Sequence, residues 1–164
     1  MFSPDNGLSS KDYAAIGQLV VSYALLEKEL FSIVCSLIEL EEGDGSKENV
    51  VLDRIVCVGK QAFGQRVKKF LKLYAKRFGE DKTYHLFEER FEQCQKIRDH
   101  VVHGIWTSTK DETLQCQFMS RNAIKCGYVL DDLIVSRSDL LSAASDAMIM
   151  VNSLRTLEKL ELYS

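Results

Sequence analysis

Eleven residues hold the side chains best suited to chemistry: Lys96-Ile97-Arg98-Asp99-His100-Val101-Val102-His103-Gly104-Ile105-Trp106. They include two of the three histidines, an adjacent Arg-Asp pair and the only Trp. Imidazole titrates near neutrality and carries a proton in either direction. Guanidinium is permanently charged, and its fork matches phosphate or carboxylate oxygens. Asp99 precedes His103 by four residues, so on a helix the two share a face. They either form a working acid-imidazole pair or simply a helix-terminal ion pair, where a cationic His is favoured by the backbone dipole. His100 and His103 have the spacing of metal ligands, but no further His or Cys is close in sequence, so no metal is expected. On a regular helix, positions 98 and 103 lie about 140° apart around the axis. Bringing Arg98 and His103 to one substrate therefore needs a partner subunit or unwinding at Gly104.

The elements that must position this stretch are helical. From Tyr13 to Ile38, apolar residues recur at steps of three and four, with Ser9 and Ser10 available as caps. Val21, Ala24, Leu25 and Ile33 widen the stripe beyond one core face, as expected of a central helix or of one whose second face meets another subunit. Residues 39–46 read as an acidic, glycine-containing loop without the spacing of a calcium loop. Val50 to Val58 is β-branched and apolar and fits either a short helix or an extended piece. Gly59-x4-Gly64 lacks the Lys-Ser/Thr of a phosphate loop.

A second helix, about Lys60 to Phe78, sets Phe63, Val67, Phe70, Leu71, Tyr74 and Phe78 against a basic remainder. No acid falls between Val58 and Gly79. Arg66, Lys69, Lys72 and Lys76 are the candidate RNA-binding residues, set against the plainer reading of a solvated face. A third helix, about Asp81 to His103, carries Phe87, Phe91, Cys94, Ile97 and Val101 as its core line and ends at Gly104. Short runs at 106–110, 113–119 and 128–136 read as a small antiparallel sheet, with Trp106 under the helix end. Ser138-Asp139 caps a last helix lined by Leu140, Ala144, Ala147, Met148, Val151, Leu154 and Leu157. The expected fold is mainly α: an antiparallel bundle of about four long helices in a single domain over 1–164, with a β insertion at about 105–136.

At 164 residues the chain is long enough to bury about two-thirds of the surface it would expose unfolded. The five cysteines are widely spaced with no C-x-x-C pair, and are expected as thiols. A net charge of −3 argues against sequence-blind binding of nucleic acid by the whole surface. The N-terminal residues have neither a basic region nor an apolar core, and the apolar run from Tyr13 to Leu26 is short for a span and ends in Glu27-Lys28-Glu29. A cytoplasmic protein without membrane contact is expected.

Arg98-Asp99-His100-Val101-Val102-His103-Gly104 fits R-x4-H with an acid after the Arg and Gly after the His, near the end of the third long helix. It resembles the signature of the HEPN superfamily of all-α domains, and Tyr23 to Leu30 resembles the first helix of such domains. The resemblance implies a homodimer whose two motifs face each other and, in many members, cut RNA without metal or cofactor. It implies His103 as proton carrier, Arg98 as phosphate-binding cation and Asp99 as the group orienting the imidazole. It also implies a toxin or defence ribonuclease, restrained in many cases by a nucleotidyltransferase-type antitoxin. The alternative is a non-catalytic dimeric helical module that binds a protein or nucleotide.

Overall fold

The computed structural model describes residues 7–42, 48–109, 113–119 and 130–159. Within them run five helices, α1 (Ser10–Glu42), α2 (Glu48–Gly59), α3 (Phe63–Phe78), α4 (Lys82–His103) and α5 (Arg137–Leu157), and three strands, β1 (Ile105–Ser108), β2 (Leu114–Met119) and β3 (Leu130–Val135). The chain is mainly α with a small sheet before the last helix, as the periodicity predicts. Val50 to Val58, open between two readings, belongs to helix α2. Its β-branched residues mark a helix as readily as a strand when the neighbouring structure offers no sheet to join. The chain forms two compact units: residues 1–23 with 96–146, and residues 24–95 with 147–164.

In the second unit, α3 and α4 form an antiparallel pair zipped by aromatic rings. Phe63 meets Phe91 at 6.1 Å, Phe70 meets Phe87 at 5.2 Å, and Tyr74 meets Tyr84 at 6.4 Å. Such ring pairs contribute about 0.5–1.5 kcal/mol each beyond their area burial. Gly79 ends α3 with φ 85°, a conformation few other residues adopt, and its N–H donates to the carbonyl of Ala75. The α1 and α5 segments of this unit run in the same direction. Buried Glu29 accepts from Arg155 at 2.7 Å, and Ser32 and Ser36 both donate to Glu158, at 3.3 and 3.0 Å.

In the first unit β1, β2 and β3 form an antiparallel meander with Trp106 opposite Cys116 and Cys116 opposite Leu133. Trp106, Leu114 and Cys116 are buried, while Ile105 and Ile134 on the opposite face are 71% and 63% exposed. This one-sided burial is what an antiparallel sheet packed on one face requires. Trp106 is thus a buried residue of the sheet's inner face. Cys35, Cys57, Cys94 and Cys116 are free thiols; Cys126 lies outside the described residues.

The same unit begins both of its long helices with the same device. Ser9 caps α1: its Oγ accepts the Asp12 N–H at 3.3 Å, and Asp12 Oδ2 accepts back from the Ser9 N–H and hydroxyl at 2.8 and 2.6 Å. Ser136, one turn ahead of Asp139, does this for α5 with bonds of 3.1, 2.8 and 2.6 Å. The cap of α5 is therefore Ser136 and not the expected Ser138, whose hydroxyl instead bonds Ser136 Oγ at 2.7 Å. A reciprocal box needs the acid three residues after the cap, and Ser138 adjoins the acid. Arg137 joins the two boxes, donating to Asp12 Oδ1 from Nε at 3.0 Å and from its terminal nitrogen at 2.7 Å.

The Ser9 hydroxyl, aided by Arg137 and against the opposing effect of burial, holds the Asp12 carboxyl below its ordinary value of 3.8. A carboxylate with a depressed folded pKa stabilises above its unfolded value, and that stability fades as pH falls through the folded value. Asp12→Asn is expected to cost about 1–2 kcal/mol at neutral pH. In denaturant titrations, the gap to wild type should narrow steadily below about pH 4. A gap independent of pH would show that the Asp12 charge contributes nothing.

Candidate functional site

The R-x4-H stretch occupies the last turn and a half of α4, which remains α-helical through His103. Gly104 N–H closes the final turn onto the carbonyl of His100 at 2.7 Å, and β1 starts at the next residue. The unwinding that would bring positions 98 and 103 together in one chain is therefore absent from the backbone up to His103. Arg98 is half-buried. The side chains of Asp99 and His103 lie outside the described residues. His100 is half-buried with its Nδ1 at 2.9 Å from the Lys96 carbonyl, so Nδ1 carries the proton in the neutral ring and Nε2 is the acceptor.

Gly104 ends the helix for a reason other than left-handed backbone, since its φ is not positive. A Cβ at this position would collide with Cys116 Sγ and with the His100 carbonyl oxygen. The space belongs to Cys116, which is fully buried on β2 and donates its S–H to that same carbonyl at 3.1 Å. Burial pushes the thiol up to about 11, so it stays protonated and able to donate. The His100 carbonyl, one of the four that a helix leaves unpaired at its end, thus accepts from both Gly104 and Cys116. Nothing in the linear sequence pairs Cys116 with Gly104. The one signal in the sequence is the Gly itself, which marks a helix stop and a site of close approach equally well.

The four candidate RNA-binding residues are divided. Arg66 Nε donates to the Gln61 carbonyl at 3.0 Å, and its guanidinium stands 4.0 Å from Glu27. Lys76 pairs with Glu41 at 2.5 Å, and Glu41 also accepts from Arg54 at 2.6 Å. These two cations, Lys76 first, draw the Glu41 carboxyl down to about 2. The acids that the α3 segment lacks in sequence are thus supplied by α1. Lys72 is exposed, and Lys69 borders a shallow cleft of about 310 Å³ with Asp53, Arg54, Cys57 and Gln61. Among the described residues no helix is long and apolar enough to cross a membrane.

Gly104→Ala should unfold or loosen the junction at a cost above about 2 kcal/mol, because the collision involves backbone as well as the thiol. Cys116→Ala should cost about 1–2 kcal/mol, for one lost methylene-sized contact and one weak hydrogen bond. In Gly104→Ala/Cys116→Gly the thiol clash is removed and the carbonyl clash persists, so thermal melts should show partial rescue. Absence of any rescue would place the strain elsewhere.

Compared with protein-family models, with curated proteins and with solved structures, the chain finds no match in any of the three.

Proposed function

We propose that this chain is a metal-independent endoribonuclease of HEPN type, acting as a homodimer and of toxin or defence character. The observation that carries the reading is the R-x4-H turn itself, held as regular helix to its last residue and pinned at Gly104 to a buried strand. A site that stabilises charge works best when its groups are fixed before the reaction. In this reading His103 removes the proton from an RNA 2′-hydroxyl, the freed oxygen attacks the adjacent phosphorus, and the bond to the 5′-oxygen breaks. The proton returns to that leaving oxygen, giving a 2′,3′-cyclic phosphate and a 5′-hydroxyl. Arg98 binds the phosphate oxygens as charge builds on them, and Asp99 orients the imidazole. Of the four candidate cations, Lys69 and Lys72 are left to meet the RNA backbone, with Arg66 and Lys76 engaged by α1 carboxylates. A restraining partner of nucleotidyltransferase type belongs to the same proposal.

A second reading, a non-catalytic dimeric module binding a protein or nucleotide, is favoured by the uncovered face of α1. There Tyr13 and Val21 are 49% and 59% exposed, and nothing lies within 4 Å of a Cβ built on Gly17.

The test is cleavage of structured and unstructured RNA in EDTA. Wild type should cut and leave 2′,3′-cyclic ends, and folded His103→Ala and Arg98→Ala should each lose about a hundredfold or more. Positions 98 and 103 diverge on one helix, so mixing and reannealing the two inactive variants should restore up to about a quarter of wild-type activity, through heterodimers with one intact composite site. No cleavage by folded wild-type protein would move the function to the binding module. Activity that survives both substitutions would remove the motif from the chemistry.

A further inference from the structure

In the unit of residues 24–95 and 147–164, a cavity of about 690 Å³ lies among α3, the start of α4 and the end of α5. Its size falls in the range of about 300–1,000 Å³ that suits a small organic molecule. Five of its ten lining residues are apolar or aromatic and five are polar. Tyr74, Phe78 and Phe87 contribute rings, with Tyr74 centred 4.9 Å from Phe78 and 5.8 Å from Phe87, and Ile149 and Leu157 lie across from α3 on α5.

The polar lining consists of Asp81, Thr83, Asn152, Ser153 and Thr156, and its only charge is negative. Ser153 and Thr156 spend their hydroxyl hydrogens on the carbonyls of Ile149 and Asn152, at 3.0 and 2.9 Å, so toward a ligand their oxygens can only accept. Asp81 brings a carboxylate. Its Oδ1 caps α4 by accepting the Tyr84 N–H at 2.8 Å, whereas the Tyr74 hydroxyl stands 3.4 and 3.5 Å from the two oxygens, too far for a strong bond. Among the described residues no Lys or Arg pairs with Asp81, and no cation lines the cavity. The site therefore offers one carboxylate and no cation, hydroxyl acceptors on α5 and aromatic faces, beside the Thr83 hydroxyl and the Asn152 amide.

We propose that this cavity binds an amphiphilic organic ammonium ion: a protonated amine on an aromatic or aliphatic body. The ammonium brings a charge-assisted donor to Asp81, which no cation offsets, and further donors to the α5 hydroxyl oxygens, and it gains from the negative faces of the rings. The body replaces water against Phe78, Phe87 and Ile149. An anion meets the Asp81 charge and is rejected. A neutral molecule of the same shape keeps the apolar contacts and loses the charge-assisted bond.

The full chain is titrated calorimetrically, at constant ionic strength, with 2-phenylethylammonium, 2-phenylethanol and 3-phenylpropanoate. The ammonium should bind saturably and about tenfold or more tighter than the alcohol, and the carboxylate should not bind. Asp81→Asn keeps an oxygen to cap Tyr84 and should reduce the ammonium to the affinity of the alcohol without lowering the melting temperature. Ile149→Trp, at a position 46% exposed, fills the cavity and should abolish both. Equal binding of alcohol and ammonium, no saturation by the ammonium, or undiminished ammonium binding by folded Asp81→Asn would each overturn the assignment.

Discussion

One carbonyl oxygen governs the end of α4. The His100 carbonyl takes a hydrogen bond from Gly104, which closes the last helical turn, and another from the buried Cys116 thiol on β2. Both need the same small volume, and only a residue without a side chain at 104 leaves room for the sulfur. The chain consequently passes from α-helix to β-strand across a single residue, and the sheet register follows. Trp106 must lie opposite Cys116, and Leu133 must lie on its other side. The helix cannot relax there without opening a buried sulfur contact and leaving a helix-end carbonyl short of a donor.

Charge in this protein works between elements more than along them. Read linearly, α3 is a basic helix with nothing to balance it. In space Glu27 and Glu41 of α1 balance Arg66 and Lys76, and Glu41 holds Arg54 as well. These pairs are partly exposed, so each contributes little alone. Their effect is to fix which α3 cations face carboxylates and which face solvent. Asp12 is different because it is buried and accepts from two sources, Ser9 and Arg137, which couples the starts of α1 and α5. A serine-acid box repeated at two helix starts, with one arginine between them, sets where both helices begin.

Much of the architecture was legible in the residues. The steps of three and four in α1, α3, α4 and α5 and the alternation around Trp106 and Cys116 are direct records of burial, because solvent and core select opposite side chains. The conformation of Val50 to Val58 was not legible, since a short β-branched run carries no period that separates helix from strand. The true cap of α5 was misplaced by two residues, as two serines compete for one acid and only backbone geometry chooses Ser136. Of the candidate site, the helical seat of Arg98, Asp99 and His103 was evident from spacing. The neutralised half of the basic face, the Cys116 contact and the Asp81 cavity were not, because each joins residues far apart in the chain.

The proposed dimeric nuclease rests on positions 98 and 103 diverging on a regular helix, so that in the proposal a second copy completes the site. Sedimentation of the protein at the concentrations used for RNA cleavage tests this most directly. The account predicts a dimer whose specific activity falls as dilution drives it to monomer. A monomer that cleaves RNA with undiminished specific activity would contradict it.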